Sequence, residues 1–350
     1  MPNMNMVQSV NSALDNMLES DSDIVIFGED VGYFGGVFRT SDGLQEKHGK
    51  HRVFDSPLSE GGIAATAFGM GINGLRPVVE IQFADYIFPA YDQIVNEMAK
   101  VRHRSGGEFW CPVTIRTPAG GGIRGGHHHS QSPEAQFTHT PGLKVVYCST
   151  PFNSKGLLIS AIEDNDPVIF FEPKRCYRGP FYGDPHNVPT WKDHPEAEVP
   201  ESYYKIPLGE ARLAMEGEKC TVIAWGAMVH VAEQAIRDSG VSCDLLDLQT
   251  LVPWDKDAVL KSIKKTGRCV IVHEAPKTSG FGAEMVASIQ ERCFYHLESP
   301  IERVTGWDTP FPHTTEWDYM PSPSRIAEAI QKTQEECCLL YTSPSPRDPL

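Results

Sequence analysis

The residues best suited to chemistry lie in a short stretch, GGHHHSQSPE, from Gly125 to Glu134. Three consecutive histidines follow the glycine-rich run TPAGGGIRGG and precede Pro133. Adjacent side chains of an extended loop point in alternating directions, so three in succession do not readily converge on one zinc ion. Glycines, by contrast, let the backbone approach a ligand closely. The pattern therefore favours one working histidine in a binding loop, with a zinc site or a plain polar loop as alternatives.

A second candidate is Glu60, which lies in DSPLSEGG at the start of a predicted helix, EGGIAATAFGMGING. A carboxylate at a helix start is favoured by the helix dipole and is a common surface feature. The residues that follow are small and apolar, so we expect them to enclose the carboxyl group. A carboxyl group in an apolar pocket has a raised pKa and can donate a proton. Glu60 is therefore a candidate acid, with helix capping as the alternative.

Two strand exits carry further polar side chains. Glu29 and Asp30 end the apolar run DIVIFGED, and Gln82, Asp85 and Tyr86 follow the strand RPVVEIQF. Core packing or capping of the next helix would explain these residues equally well. The glycine-rich piece GYFGG matches neither GxGxxG nor GxxxxGKS, while GGGIRGG has only the short GxGxxG spacing, and the sequence contains no GxSxG elbow. The signals for a dinucleotide fold and a P-loop are therefore weak, and nothing indicates the nucleophile elbow of a serine hydrolase.

The elements that must position these residues alternate along the chain. Buried strands are predicted at DIVIFGED, RPVVEIQF, PVTIRTP, LKVVYCST and PVIFFEP, with helical patterns between them. A second series runs from CTVIAWGA to IERVTGWD. Strands that alternate with helices predict α/β units with parallel sheets covered on both faces, here two doubly wound domains in tandem. Ligands of such sheets bind beyond the carboxyl ends of the strands, where the candidate residues lie.

Composition shifts predict the domain boundaries. The first domain is expected at 1–182 and the second at 208–337, separated by a linker at 183–207 that is rich in proline and charge. The last segment, 338–350, begins CLLYTSPSPRD, which resembles a translated sequencing adapter. We expect this segment not to be native and exclude it from the fold, with a disordered Ser/Pro tail as the alternative.

Charge and cysteine usage narrow the classes of partner. The net charge of -15 argues against nucleic acid, which requires Lys and Arg to neutralise phosphates. No run of about 18 apolar residues predicts a membrane span. The nine cysteines form no CxxC pair, which favours a reducing compartment. The first twenty residues contain no Lys or Arg, so neither a secretory signal nor a transit peptide is predicted. We expect a bacterial cytoplasmic protein, or a mitochondrial matrix protein whose transit peptide has been removed.

Long motifs spread over residues 6–336 resemble the β subunits of thiamine-diphosphate-dependent 2-oxoacid dehydrogenases. They are GEDVGYFGGVFRTSDGL, RVFDSPLSEGGIAA, VEIQFADYIFPAYDQIVNE, HSQSPEA, PVIFFEPK, LVPWD and HEAPKTSGFGAE. The resemblance implies a transketolase-like pyrimidine-binding domain followed by a transketolase C-terminal domain. The aromatic character of FADYIFPAYDQIVNE favours the branched-chain (2-oxoisovalerate) type. A pyruvate or acetoin enzyme, and a noncatalytic assembly subunit, remain alternatives.

The same resemblance implies roles for individual residues. Glu60 would contact the pyrimidine N1′ of thiamine diphosphate, and His129 would donate a proton during acyl transfer to a lipoyl group. Leu58, Gln82 and Tyr86 match positions that contact the cofactor, and Glu29 matches an acidic proton network. The implied partners are an α subunit, in an α2β2 heterotetramer, and a lipoyl-bearing E2 transacylase core.

The resemblance also implies two metal ions, magnesium and potassium. The sequence contains no GDG segment of the kind that holds magnesium and pyrophosphate in this family. The resemblance therefore implies that the α subunit holds the magnesium and that this chain contributes half of the cofactor site. A structural potassium ion is implied around Val113, Ala161, Asp164 and Asp166, with several of its ligands being main-chain carbonyls.

Overall fold

The fold is that of a computed structural model, which describes residues 1–177 and 196–335. Strands and helices alternate through the first of these ranges, as the apolar periodicity predicted. They are β1 (Asn3–Asn5), α1 (Met6–Ser20), β2 (Ile24–Gly28), α2 (Leu44–His48), β3 (Val53–Asp55), α3 (Glu60–Ile72), β4 (Arg76–Glu80), a π-helical segment (Gln93–Met98) leading into α4 (Ala99–Arg104), β5 (Thr114–Ala119), α5 (Glu134–Thr138), β6 (Lys144–Tyr147), α6 (Pro151–Glu163), β7 (Val168–Pro173) and α7 (Lys174–Tyr177).

The second range repeats the alternation around another sheet. Its elements are β8 (Glu196–Glu198), β9 (Arg212–Met215), β10 (Cys220–Ala224), α8 (Met228–Ser239), β11 (Cys243–Asp247), β12 (Thr250–Val252), α9 (Lys256–Thr266), β13 (Cys269–Pro276), α10 (Phe281–Cys293), β14 (Glu302–Gly306), α11 (Glu316–Tyr319) and α12 (Pro323–Glu335). Among the described residues, no helix is both long and apolar enough to cross a membrane.

Two large sheets confirm the predicted α/β architecture. The first has seven strands in the order β12-β6-β7-β5-β4-β2-β3, and the second has five in the order β14-β13-β10-β11-β9. Both sheets are parallel except at one edge, where β12 runs antiparallel to β6 and β9 antiparallel to β11. β12 follows β11 in sequence but joins the other sheet. Such long-range pairing has no local sequence signal.

The predicted linker lies partly outside the described residues, and its described part packs on the first half of the chain. β8 pairs with β1 in an antiparallel two-stranded sheet. The buried Lys155 of α6 donates hydrogen bonds of 2.8 Å to the carbonyls of Pro200 and Glu201. Ile206 N donates to the carbonyl of Gly156 at 3.1 Å. The segment 338–350 lies outside the described residues.

The order of the first sheet determines which strand exits meet. β5, β4 and β2 are neighbours, and Gly28, Glu80 and Arg116 lie in one row of paired residues across them. The carboxyl ends of parallel strands open on one edge of a sheet. The segments that follow the three strands therefore meet at this edge.

Candidate functional site

The centre of the site is a hydrogen bond between Tyr86 and His129. The Tyr86 hydroxyl lies 2.7 Å from Nε2 of the imidazole, and Nδ1 lies 3.2 Å from the carbonyl of Gly125. Since a carbonyl can only accept, Nδ1 carries a hydrogen, and Nε2 of the neutral ring accepts from Tyr86. The Phe83 ring packs edge-on against the imidazole, with the ring centroids 4.6 Å apart. The ring of His129 is thus held by contacts on three sides.

The other two histidines point elsewhere. His127 and His128 are exposed and lie in a short 3₁₀ turn, with their ring centroids 4.0 Å apart. His129 is half-buried and turns towards Tyr86. Within the described ranges, no group of three histidine, cysteine or acidic side chains is placed to hold a metal ion. Of the three histidines, His129 alone joins the other candidate residues.

Two carboxyl groups, Glu29 and Glu60, interact electrostatically with each other and with Tyr86. Glu29 is buried, and its Oε1 has no hydrogen-bond partner within the described part of the chain. Burial raises the pKa of Glu29, and the negative charges of Glu60 and Asp30 raise it further. Burial is also the main cause of a raised pKa at Tyr86, with smaller effects from Asp85, Glu60 and Glu29. The four sequence-predicted residues Glu29, Glu60, Tyr86 and His129 therefore share one site.

Glu60 is less enclosed than the sequence suggested. It is the first residue of α3, whose N-cap Ser59 accepts a hydrogen bond from Gly62 N at 3.3 Å. The carboxyl group is half-buried, Gly62 and Ala65 are exposed, and 81% of the Leu58 surface is exposed. Among the described residues, the small side chains of α3 therefore leave this side of Glu60 partly open.

Gln82 and Asp30 extend the polar surface of the site. Gln82 Nε2 lies 3.5 Å from Asp30 Oδ2, and Asp30 has a positive φ of 57°. Aspartate is among the residues that tolerate this left-handed conformation. Gln82 is half-buried at the exit of β4. The sequence-predicted residues Leu58 and Gln82 thus lie on the segments that border the site.

The glycine-rich loop before His129 is anchored by residues that sequence reasoning did not select. Glu274 Oε2 accepts a hydrogen bond from Gly121 N at 2.9 Å, and Glu316 accepts from Arg124 N at 3.1 and 3.2 Å. Glu274 lies in the motif HEAPKTSGFGAE, so its position was recognisable in the sequence. Glu316 lies in no such motif. Both carboxylates come from the second half of the chain. The loop is therefore built jointly by the two halves.

The four residues of the implied potassium site lie around the end of α6 and the strands beside it. The carbonyl of Val113 accepts from Val168 N at 2.9 Å, and that of Ala161 accepts from Thr114 Oγ1 at 3.1 Å. Main-chain oxygens retain a second lone pair and can accept or coordinate again. The Ala161 carbonyl, however, also accepts from Asp164 N at 3.3 Å, and the Asp164 carbonyl accepts from Arg76 Nη1 at 3.1 Å. Protein donors therefore already bind much of this set of carbonyls.

The two carboxylates of that set already have cationic partners. Lys144 Nζ lies 2.6 Å from Asp164 Oδ2 and 3.3 Å from Asp166 Oδ2. Arg102 Nη1 lies 2.7 Å from Asp166 Oδ1. Cationic side chains therefore bind both carboxylates and, through Arg76, the Asp164 carbonyl, so a potassium ion at this set would have to compete with them.

Comparison with known families agrees with the fold. The family described as "Transketolase, pyrimidine binding domain" matches residues 2–180, and "Transketolase, C-terminal domain" matches 209–326. A solved structure titled "Split gene transketolase, inactive beta4 tetramer" superposes with a TM-score of 0.73 over 95% of this chain and 99% of that one. Its sequence identity of 19% supports a common fold alone.

Sequence relatives are much closer. The chain is 55% identical to "2-oxoisovalerate dehydrogenase subunit beta" of Pseudomonas aeruginosa over 95% of both chains. It is 54% identical to the mitochondrial subunit of that name from Dictyostelium discoideum, over 94% of this chain and 86% of the relative. "Pyruvate dehydrogenase E1 component subunit beta" of Acholeplasma laidlawii is 44% identical, over 93% of this chain and 97% of the relative. These similarities confirm the resemblance inferred from the sequence motifs.

Proposed function

This chain belongs to the transketolase-like family of 2-oxoisovalerate dehydrogenase β subunits, and from that premise we propose that it serves, with an α subunit, in the thiamine-diphosphate-dependent oxidative decarboxylation of branched 2-oxo acids. The observation that carries the proposal is a half-built site: Glu29, Glu60, Tyr86 and His129 converge at one sheet edge that is left open beside Leu58. The α subunit would close this side and complete an α2β2 heterotetramer. The acyl product would pass to a lipoyl group on an E2 transacylase core.

The acidic residues suit the aminopyrimidine part of the cofactor. Thiamine diphosphate, when bound, supplies the carbanion chemistry that breaks the bond between the keto carbon and the carboxylate. Glu60 would hold a proton at the pyrimidine N1′, and the free Oε1 of the buried Glu29 offers a second acceptor for proton exchange. Leu58, Gln82 and Tyr86 would contact the cofactor. Magnesium and the pyrophosphate would be held by the α subunit, since this sequence contains no GDG segment.

His129 would act in the transfer of the acyl group. When it is protonated, Nδ1–H remains bonded to the Gly125 carbonyl and Nε2–H becomes a donor beside Tyr86. Acyl transfer to lipoyl breaks the disulfide of the lipoyl ring: one sulfur takes the acyl group and the other needs a proton. His129 would deliver that proton. His127 and His128 are exposed, and the proposal gives them no role in this step.

Potassium is proposed in a structural capacity only, and no step of the reaction is assigned to it. Its ligands would be the main-chain oxygens of Val113, Ala161, Asp164 and Asp166. An ion that binds the folded state alone stabilises it by an amount that grows with the logarithm of the ion concentration above its dissociation constant. We expect a higher melting temperature in potassium chloride than in sodium chloride at equal ionic strength. Equal melting temperatures in the two salts would contradict the site.

The compartment follows from the same family. Relatives include a protein from Pseudomonas aeruginosa and mitochondrial subunits. We propose the bacterial cytoplasm, or the mitochondrial matrix for a chain whose transit peptide has been removed.

The deciding experiment measures thiamine-diphosphate-dependent release of carbon dioxide from 3-methyl-2-oxobutanoate and from pyruvate, with and without a matching α subunit. We expect activity on the branched acid only when both chains are present. Turnover by this chain alone would contradict the half-site. A preference for pyruvate would keep the mechanism and change the substrate, because small apolar differences discriminate by only about 1–3 kcal/mol.

A noncatalytic assembly subunit is the competing function. Replacing Glu60 by Gln keeps the size of the side chain and removes the carboxyl proton. Size-exclusion chromatography monitors α2β2 assembly of this variant. Loss of turnover with intact assembly supports the catalytic function. Unchanged turnover in Glu60→Gln would favour the assembly subunit.

A further inference from the structure

The carboxylate of Asp85 accepts hydrogen bonds from the backbone of the loop that carries His129. It lies in the short 3₁₀ turn Ala84–Tyr86 after β4, and 8% of its surface is exposed. Its Oδ1 accepts hydrogen bonds from Ser130 N and Gln131 N, both at 3.2 Å. These are the two residues that follow His129. A single carboxylate oxygen therefore holds the segment that carries the imidazole.

The same turn that holds the loop through Asp85 also holds the imidazole of His129 through Tyr86. Tyr86, the next residue in the turn, bonds to Nε2 of His129 at 2.7 Å. Two consecutive residues of one turn thus hold the same histidine, one through its ring and one through the backbone that follows it. A shift of the loop relative to this turn would break both sets of contacts together. Such positioning matters because a misplacement of about 1 Å can cost on the order of 100-fold in rate.

The second oxygen of Asp85 is unusual for a purely structural carboxylate. Oδ2 is buried and has no hydrogen-bond partner among residues 1–177 and 196–335. A buried polar atom without a partner is costly and calls for a compensating role. The fold retains this carboxylate beneath the loop, where the negative charge strengthens both N–H bonds at Oδ1.

A buried lysine, Lys174, interacts electrostatically with Asp85. Lys174 is 1% exposed, and its Nζ donates a hydrogen bond to the carbonyl of Pro118 at 3.4 Å. Burial lowers the pKa of Lys174 to about 8, while the carboxylates of Asp85, Glu274 and Glu316 favour the charged form. Nζ also lies 5.6 Å from the centroid of Phe83, the ring that packs against His129. Lys174 and Asp85 thus carry opposite buried charges near the Phe83 ring that packs against His129.

We propose that Asp85 is a positioning residue for His129, and that by holding Ser130 and Gln131 it keeps the imidazole aligned for acyl transfer to the lipoyl group. This inference rests on the proposed role of His129. Asp85 makes its contacts with the loop and not with Glu60, which serves the cofactor. Loss of Asp85 should therefore impair acyl transfer much more than decarboxylation.

The test uses the assembled α and β chains and measures the two steps separately. Decarboxylation of 3-methyl-2-oxobutanoate is followed with an artificial electron acceptor, and acyl transfer is followed with a lipoylated E2 domain. For Asp85→Ala we expect the ratio of acyl transfer to decarboxylation to fall on the order of 10- to 100-fold. Asp85→Asn keeps an acceptor oxygen in place and should restore part of that ratio.

Asp92→Asn is the matched control. Asp92 is exposed and only accepts a hydrogen bond from Asn96 Nδ2 at 2.6 Å, so both steps should run at the wild-type rate. If Asp85→Ala does not assemble, Asp85→Asn decides alone, with a smaller fall in the same ratio expected. An equal fall in both steps, or an unchanged ratio, would show that Asp85 only supports the fold and would overturn the proposal.

His129→Ala separates the failure of this inference from the failure of the proposed function. If His129→Ala leaves acyl transfer intact, the role of His129 itself is wrong, and the inference goes with it. If His129→Ala abolishes acyl transfer but the Asp85 variants keep the normal ratio, only the inference fails. When both hold, adding Asp85→Asn to His129→Ala should cause no further loss of acyl transfer.

Discussion

The Tyr86 hydroxyl lies 2.7 Å from Nε2 of His129, on the opposite side of the ring from the carbonyl of Gly125. The hydroxyl belongs to the exit of one strand and the imidazole to the long loop after its neighbour. This hydrogen bond therefore joins two residues that are 43 positions apart in the sequence.

Replacing Tyr86 by Phe removes the hydroxyl and keeps the ring that packs edge-on against Phe83. We expect acyl transfer to fall roughly tenfold, because the imidazole loses the bond that orients Nε2. Stability should change by only about 1 kcal/mol, the usual net worth of one hydrogen bond. Rapid-mixing measurement of acyl transfer tests this. Tyr91→Phe, which removes a hydroxyl 3.5 Å from the Gln136 carbonyl, should transfer at the normal rate.

Glu134 should make stability fall as the pH rises. Burial raises its pKa to about 8, against a smaller opposing effect of the hydrogen bond from Trp225 Nε1 at 3.2 Å. The unfolded chain has a pKa of about 4.3, so between about pH 4.3 and pH 8 the folded state binds more protons than the unfolded state. The contribution of Glu134 is then fully present below about pH 4.3 and is lost by about 1.4 kcal/mol per pH unit up to pH 8.

Glu134→Gln tests this directly, since an amide does not titrate and its oxygen still accepts from Trp225. Urea unfolding at pH 5, 6, 7 and 8 should show a flatter pH dependence in the variant than in the wild type. Glu108→Gln, at an exposed position, should leave the slope unchanged. Parallel slopes for Glu134→Gln and the wild type would contradict the prediction.

Glu316 should be important for stability although it lies far from the histidines in sequence. Its carboxylate accepts the Arg124 N–H and lies near Arg175, whose three guanidinium nitrogens have no hydrogen-bond partner in the described part of the chain. Glu316→Ala leaves the Arg124 N–H without its acceptor and removes negative charge near a buried cation. We expect a loss of about 2–3 kcal/mol in the free energy of unfolding.

Chemical denaturation measures that loss. The matched variant is Glu291→Ala, which removes an exposed carboxylate 3.2 Å from Arg292. Exposed ion pairs contribute about 0–1 kcal/mol, so this variant should be nearly as stable as the wild type. Similar losses in both variants would argue against a role for Glu316 as an anchor of the loop.

Arg116 supports the sheet edge from within the core. It is 1% exposed and donates to both oxygens of Glu172, at 2.7 and 3.0 Å, and to Glu80 Oε2 at 3.1 Å. Arg116→Met would leave two buried carboxylates without their cation. We expect the free energy of unfolding to fall by about 3–5 kcal/mol.

Thermal unfolding checks this, with Arg104→Met as the comparison. Arg104 pairs with Glu97 at 2.8 Å on the surface, and its removal should cost less than about 1 kcal/mol. A stable Arg116→Met variant would contradict the prediction, because Glu80 and Glu172 would then not need the guanidinium.

Local patterns in the sequence determined the elements and the residue types at their ends. Apolar periodicity predicted α1, α3 and α6 and the strands between them, because these patterns repeat within one element. The same reasoning placed Glu29, Gln82, Tyr86 and His129 at strand exits. The motifs spanning these exits were specific enough to indicate the family, which the close relatives confirm.

Only the tertiary structure decided which exits are neighbours and what surrounds them. The order β5-β4-β2 brings Tyr86 to His129 and Asp85 to Ser130, and strand order depends on pairing between distant segments. The tertiary structure also shows that α3 leaves Glu60 partly open, whereas the sequence suggested an enclosed carboxyl group. Glu274 and Glu316 reach the loop from the second half of the chain. Burial and contact are properties of the packed molecule, so no local pattern carries them.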